Sequence, residues 1–68
     1  MRPSGLTSRQ REVCDLLARG FTNREIGEAL GINHRTVESH REAVFKKMRV
    51  RNAVELVRQM FLIEGKVA

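Results

Sequence analysis

The chain has 68 residues, enough for one small domain, and its 41% hydrophobic and 31% charged residues are typical of a folded globular protein. A single cysteine excludes an internal disulfide and a cysteine-based zinc site and suggests a cytosolic protein, while no apolar run approaches the ~18 residues of a membrane span. The net charge of +5 favours a polyanionic partner, nucleic acid before an anionic membrane surface, over a merely basic soluble protein.

The first six residues, MRPSGL, place Pro, Ser and Gly in a row and are typical of a linker or frayed end. We therefore expect a linker over 1–5, the folded domain over 6–64 and a short tail over 65–68. So abrupt a start suggests a domain cut from a longer chain, with a free-standing domain as the alternative.

The first predicted helix begins after Thr7. Thr7 and Gln10 have the spacing of a capping box, in which each side chain bonds the other residue's backbone amide. Gly20 is placed to end the helix in a left-handed conformation, after which Phe21 should fold back onto the core. Cys14 is expected to be small apolar packing rather than a reactive thiol, on the flank of the buried stripe formed by Val13, Leu16 and Leu17.

The second predicted helix runs from about Asn23 to Leu30 behind another capping box, Thr22 to Glu25. Gly27 lies in its middle, where glycine costs ~1 kcal/mol relative to alanine, so we expect the next helix to cross closely there. The residues predicted to point inward are Ile26, Ala29 and Leu30.

The third predicted helix follows a Gly-Ile-Asn turn, with Asn33 as its cap, and runs to about Met48. Residues 34–51 hold six Lys/Arg and two Glu, a net charge of +4 out of the chain's +5. An eight-residue helix, a three-residue turn and a longer basic helix predict a helix-turn-helix with this segment as its recognition helix. The inward face is predicted to be Val37, Val44 and Met48, and the opposite face Arg35, Ser39, Glu42 and Lys46.

The fourth predicted helix opens at a third capping box, Asn52 to Glu55, and runs to about Ile63. Ala53, Leu56, Met60 and Ile63 should face the core. A second apolar stripe comprises Val54, Val57 and Phe61, and a helix that is apolar on two faces needs a second partner. We expect a second copy of the chain to supply it, with scattered surface apolar residues as the alternative.

Three motifs together, LTSRQREV, GFTNREI and INHRTVESH followed by KKM, resemble the LuxR-type DNA-binding domain over Leu6 to about Leu62. The form TVESHREAVFKKM is most similar to output domains of NarL/FixJ-type response regulators. This resemblance implies an all-α, compact four-helix domain containing a helix-turn-helix, in a bacterial transcription regulator. It also implies a phosphoacceptor receiver domain, absent from this chain.

Several positions depart from the family's pattern: Gly27 replaces the usual alanine, Gln10 a common glutamate, and Arg49 a frequent glycine or small residue. In the family, base contacts come from the positions of Glu38, Ser39 and Glu42. Relatives often carry basic residues at the first and last of these three, so a lysine-to-guanine contact does not carry over.

The candidate DNA contacts follow from the helix faces and from the resemblance. Base reading is assigned to Arg35, Glu38, Ser39 and Glu42, and phosphate binding to Asn23, Arg24, Thr36, His40, Lys46 and Lys47. The alternative for the glutamates is local pairing, of Glu42 with Lys46 and of Glu38 with nearby arginines. His40 could instead be a partly buried structural residue, and Arg41 could pair with Glu12 as an internal brace.

Rival readings are a promoter-binding domain like region four of a sigma factor, which typically ends after its recognition helix, and a basic protein-interaction module. The sequence holds no catalytic triad, paired-carboxylate, phosphate-loop or metal pattern, so an enzyme is not expected and neither is a cofactor. The predicted partners are duplex DNA, a second copy bound through Val54, Val57 and Phe61, and RNA polymerase as a further candidate. No membrane partner is expected.

Overall fold

Four α-helices make up the computed structural model, which describes residues 5–64 and their side chains as far as Phe61. They are α1 (Ser8–Ala18), α2 (Asn23–Leu30), α3 (His34–Met48) and α4 (Ala53–Glu64), with no strand between residues 5 and 64. The all-α prediction is confirmed, and each helix lies where the sequence placed it. Apart from Gly5, the predicted linker over 1–5 and the tail over 65–68 lie outside the described residues.

Reciprocal capping boxes begin the first two helices. The hydroxyl of Thr7 accepts from the Gln10 amide at 3.1 Å, and Oε1 of Gln10 accepts from the Thr7 amide at 3.2 Å. Thr22 and Glu25 repeat this arrangement at 3.1 and 2.8 Å. Each box satisfies backbone N–H groups that a helix start otherwise leaves without partners, so the local sequence fixes both helix starts.

The starts of α3 and α4 use asparagine. Oδ1 of Asn33 accepts from the Arg35 amide at 2.7 Å, and Oδ1 of Asn52 accepts from the Glu55 amide at 2.9 Å. The predicted box at α4 is shifted by one residue, because Oε1 of Glu55 accepts from the Arg51 amide at 2.8 Å.

The first three helices end with the same backbone closure, in which an N–H just past the helix donates to the carbonyl five residues earlier. The turning residue is left-handed in each case: Gly20 with φ +91°, Gly31 with φ +71° and Arg49 with φ +58°. Arg49 is the one non-glycine with a positive φ among the described residues. The closing bonds run from Phe21 to Leu16 (3.1 Å), Ile32 to Gly27 (2.9 Å) and Val50 to Phe45 (3.0 Å).

A single core joins the four helices, and α1 and α3 each pack against all three others. Val37 and Val44 of α3 are fully buried, which confirms the predicted inward face of that helix. Burying such aliphatic side chains contributes about 1.5–3 kcal/mol each. The buried residues are Val13, Cys14, Leu17, Ile26, Val37, Val44, Met48, Leu56 and Met60.

The structure corrects three details of the predicted core. Cys14 is fully buried, with its Sγ 3.5 Å from Sδ of Met60, whereas Leu16 is only half-buried. Ala29 is exposed, because α2 turns the side of Ile26 and Gly27 inward instead. Phe21 is 38% exposed and lines a surface cleft rather than closing over the core. The side chain of Ile63 lies outside the described residues.

Gly27 lies close to the turn of the helix-turn-helix and to the first residue of α3. A Cβ added to it would lie 2.7 Å from the Ile32 carbonyl oxygen and 3.6 Å from the His34 nitrogen. Those atoms belong to the backbone of the turn and of the start of α3, so they cannot swing aside as a side chain could. The predicted close crossing at Gly27 is therefore confirmed.

Within residues 5–64, every helix is too short or too polar to traverse a lipid bilayer.

Candidate nucleic-acid interface

The third helix divides cleanly into two sides. Val37 and Val44 are 0% exposed and Met48 is 7% exposed, and this side packs against α1, α2 and α4. Ser39 and Glu42 stand exposed on the other side. Because the neighbouring helices hold the aliphatic side, the polar side is presented on a rigid support.

All four predicted base-reading residues are exposed: Arg35, Glu38, Ser39 and Glu42. Among the described residues, neither glutamate lies within 4.0 Å of an arginine or lysine nitrogen. The local pairing considered as the alternative for Glu38 and Glu42 is therefore not formed, and neither carboxylate is engaged by a cation of residues 5–61.

A shallow depression of about 300 Å³ lies on this exposed side of α3. It brings together four of the predicted contacts, Ser39, Glu42, Lys46 and Lys47, with Ala43. Sequence reasoning missed Ala43, which is half-buried. Its position four residues after Ser39 and three before Lys46 places it on the same helix face, and that spacing was the available signal.

Lys47 is engaged within the domain. Its Nζ donates to the Gly5 carbonyl oxygen at 2.6 Å and to Oε1 of Gln10 at 2.7 Å. The last turn of α3 is thereby tied to the start of α1. Lys46, one residue earlier, is exposed and has no such tie within the described part of the chain.

The other predicted phosphate contacts lie outside the residues that line this depression. Thr36 is exposed and His40 is half-buried on α3, while Arg24 is exposed near the start of α2. Asn23 is half-buried in a second cleft, of about 280 Å³, that the structure does not join to the first. The second cleft is lined by Leu17, Gly20, Phe21, Thr22, Asn23, Arg41 and Ala53.

The predicted brace between Arg41 and Glu12 is wrong. The guanidinium of Arg41 lies over the ring of Phe45, 4.8 Å from its centroid, and Glu12 pairs with Arg9 at 3.1 Å. A cation above an aromatic face is attracted by the ring quadrupole, so Phe45 supplies the partner that Glu12 was expected to provide.

The predicted second stripe of α4 lies largely in solvent. Val54 is 68% exposed and Phe61 48% exposed, whereas Val57 is half-buried. Exposed large apolar residues that cluster on one helix face are typical of a contact surface. The stripe belongs to α4, whereas the predicted base-reading residues belong to α3.

Within the described residues, no group of three or more His, Cys, Asp or Glu side chains is arranged to hold a metal ion.

A helix-turn-helix whose second helix exposes a mixed polar and basic side from a rigid four-helix support defines a DNA-binding domain. The chain belongs to the luxR family of bacterial regulatory proteins, whose family model matches residues 4–60. It is a LuxR-type DNA-binding domain of the kind found in transcriptional regulators.

Similar proteins include several regulators. The chain is 50% identical over 54 residues to the tetrathionate response regulatory protein TtrR of Salmonella typhimurium, covering 79% of the chain and 26% of TtrR. It is 43% identical over 60 residues to the transcriptional regulatory protein UhpA of Escherichia coli, covering 88% of the chain and 31% of UhpA. It is 43% identical over 61 residues to the transcriptional regulatory protein FixJ of Azorhizobium caulinodans, covering 90% of the chain and 29% of FixJ.

The chain thus spans about a quarter to a third of the length of these curated relatives. No solved structure gives a significant match.

Proposed function

We propose that this chain is the output domain of a two-component response regulator and binds a two-fold related DNA site as a homodimer. Each copy would place one α3 in the major groove of a half-site. The observation that carries the proposal is the division of α3, with Val37 and Val44 sealed against the core while Ser39 and Glu42 face solvent. The longer relatives named as response regulators have room for the receiver domain that the resemblance implies.

Base reading is assigned to the exposed side chains of α3. Glu38 and Glu42 can accept from the N4 amino group of cytosine, and Arg35 can pair with guanine. Ser39 can donate or accept at either base. The phosphates repel carboxylates in a groove, so a glutamate there gains only where an amino group meets it. The two unpaired glutamates would therefore select a site mainly by rejecting bases that offer only acceptors.

The affinity for DNA is assigned to the phosphate contacts. It should therefore decrease steeply as the salt concentration rises. The proposed set is Asn23, Arg24, Thr36, His40 and Lys46. We assign Lys47 to this set only in second place, because its ammonium already bonds Gly5 and Gln10 within the domain.

Dimerisation is assigned to α4, whose exposed Val54 and Phe61 would cover one another around a two-fold axis, with Val57 between them. The presence of this helix, packed on α1, also favours the LuxR-type reading over the sigma-factor one. The proposed partners are duplex DNA, a second copy and, as a further candidate, RNA polymerase. A DNA target supports the cytoplasm as the proposed location.

The test is a selection of duplexes from a random pool at fixed salt. The wild-type domain should enrich a two-fold related motif. Glu38→Gln and Glu42→Gln, which keep the size of each side chain and remove its charge, should each change the preferred base at one position per half-site. Lys46→Met, the matched control, should weaken binding to every duplex and leave the motif unchanged.

Two outcomes would count against the proposal in separable ways. A wild-type pool that enriches no motif contradicts sequence-specific binding. A motif that stays identical after both glutamine substitutions contradicts base reading by the glutamates.

A further inference from the structure

Ala43 lines the depression on the exposed side of α3 and is the one lining residue with a wholly apolar side chain. On a helix, its surface neighbours include the residues four before it and three and four after it, which are Ser39, Lys46 and Lys47. All three line the depression together with Glu42. The depression has a volume of about 300 Å³, and Ala43 contributes only a methyl group to its wall.

The side chain of Lys47 is held away from Ala43 by hydrogen bonds within the domain. Side chains on a helix lean toward its N-terminus, so a free lysine four residues after Ala43 would tend to lie back over it. Here the Nζ of Lys47 instead reaches the Gly5 carbonyl oxygen at 2.6 Å and Oε1 of Gln10 at 2.7 Å. The tie to the start of α1 therefore directs the ammonium of Lys47 away from the alanine methyl.

The depression combines the methyl group of Ala43 with the polar side chains of Ser39 and Glu42, a combination that matches one base in the major groove. Only thymine presents a C5-methyl group there, and its O4 acceptor lies beside that methyl. We propose that Ala43 is a specificity-determining residue whose depression takes the C5-methyl of a thymine, with the hydroxyl of Ser39 donating to O4. Glu42 is then left for a cytosine amino group at the adjacent base pair.

This inference rests on the proposed function, since it concerns which base the same helix face selects. Its test replaces each thymine of a selected half-site, one at a time, by deoxyuridine, which removes only the methyl group. Wild-type binding is measured by fluorescence anisotropy at fixed salt. One position per half-site should lose about four-fold in affinity, the value expected for one buried methyl group.

The matched variants are Ala43→Gly and Ala29→Gly. Ala29 is also a helical alanine, but it is exposed on α2, away from the depression. Ala43→Gly should bind the thymine and deoxyuridine duplexes equally, while Ala29→Gly should keep the four-fold difference. If glycine in the middle of α3 prevents folding, Ala43→Ser replaces it, because its added hydroxyl should also abolish the preference for the methyl.

Each result has one meaning. Selective wild-type binding with no loss at any deoxyuridine overturns the thymine assignment and leaves the proposed function standing. A four-fold loss that persists in a folded Ala43 variant overturns the role of Ala43. A wild-type domain without sequence preference overturns the proposed function, and this inference with it.

Discussion

Lys47 and Gln10, which are 37 positions apart, are joined by a 2.7 Å hydrogen bond from Nζ to Oε1. The same Gln10 oxygen accepts the Thr7 amide that completes the first capping box. One side-chain oxygen therefore closes the start of α1 and holds the last turn of the recognition helix. A lysine that the sequence assigned to DNA phosphate is used, in the free domain, to join these two elements.

Lys46→Met and Lys47→Met should consequently have different effects. Losing the bonds of Lys47 should lower the free energy of unfolding by about 1 kcal/mol and change the salt dependence of DNA binding little. Losing Lys46 should leave the unfolding free energy nearly unchanged and reduce the slope of log K against log salt by about 0.9. Urea denaturation and salt titrations measure the two quantities.

Gln10→Ala is the control for the lysine pair, because it breaks the same bond without changing the charge. It also removes the bond to the Thr7 amide and leaves the Lys47 bond to Gly5, so it should lower the free energy of unfolding without changing the salt slope. Equal slope reductions in the two lysine variants would mean that Lys47 leaves Gln10 on DNA and contacts phosphate, as the sequence alone predicted.

Arg49 adopts a left-handed conformation, with φ +58°, at the end of α3. A side chain is disfavoured there by roughly 1 kcal/mol relative to glycine. Arg49→Gly should therefore raise the unfolding free energy by about 0.5–1 kcal/mol. Arg49→Lys keeps both the charge and the strained conformation, so it should be no more stable than the wild type. Thermal melts in which the glycine and lysine variants coincide would refute the strain argument.

The helix boundaries could be predicted because their causes are local. Thr7 and Thr22 each cap a helix through a residue three positions on, and Gly31 breaks α2 where it stands in the sequence. The buried face of α3 was also predictable, since Val37 and Val44 follow the helical period. These features need no knowledge of how the helices cross.

The missed features depend on how the helices cross. The bond from Lys47 to Gln10 exists only because α1 lies against α3, and Arg41 finds Phe45 on its own helix rather than Glu12 on α1. Ala29 is exposed because the close approach at Gly27 sets the rotation of α2. Periodicity alone gives a helix its apolar side, but not its exact rotation against a neighbour.

Gly27→Ala should destabilise the domain although alanine is the better helix former. The new Cβ would lie 2.7 Å from the Ile32 carbonyl oxygen, a backbone atom that moves only if the turn moves. Overpacking costs about 1–3 kcal/mol, which exceeds the ~1 kcal/mol gained in helix propensity. We expect a net loss of about 1 kcal/mol in urea denaturation. Glu28→Ala, at an exposed neighbouring position of α2, should cause no loss. A Gly27→Ala domain more stable than the wild type would show that the turn moves to admit the methyl group at little cost, and would contradict the overpacking argument.

Phe61→Asp should separate DNA binding from dimerisation. Phe61 is 48% exposed and Val54 is 68% exposed on α4, a different helix from the proposed reading face, so a charge at position 61 should leave the base contacts intact. In the proposed dimer it would place two carboxylates near the two-fold axis and oppose pairing by desolvation and like-charge repulsion. Binding to a duplex with one half-site should be unchanged, whereas occupancy of the full site should lose its cooperativity.

Phe61→Leu, which keeps an apolar side chain, is the matched control and should retain most of the cooperativity. Gel-shift titrations that resolve singly and doubly bound duplexes measure both effects. Superimposable full-site curves for the wild type and Phe61→Asp would remove α4 from the interface. A parallel loss on the half-site would instead indicate that the aspartate damages the fold, and Val54→Asp, on the same stripe and more exposed, then provides the second test.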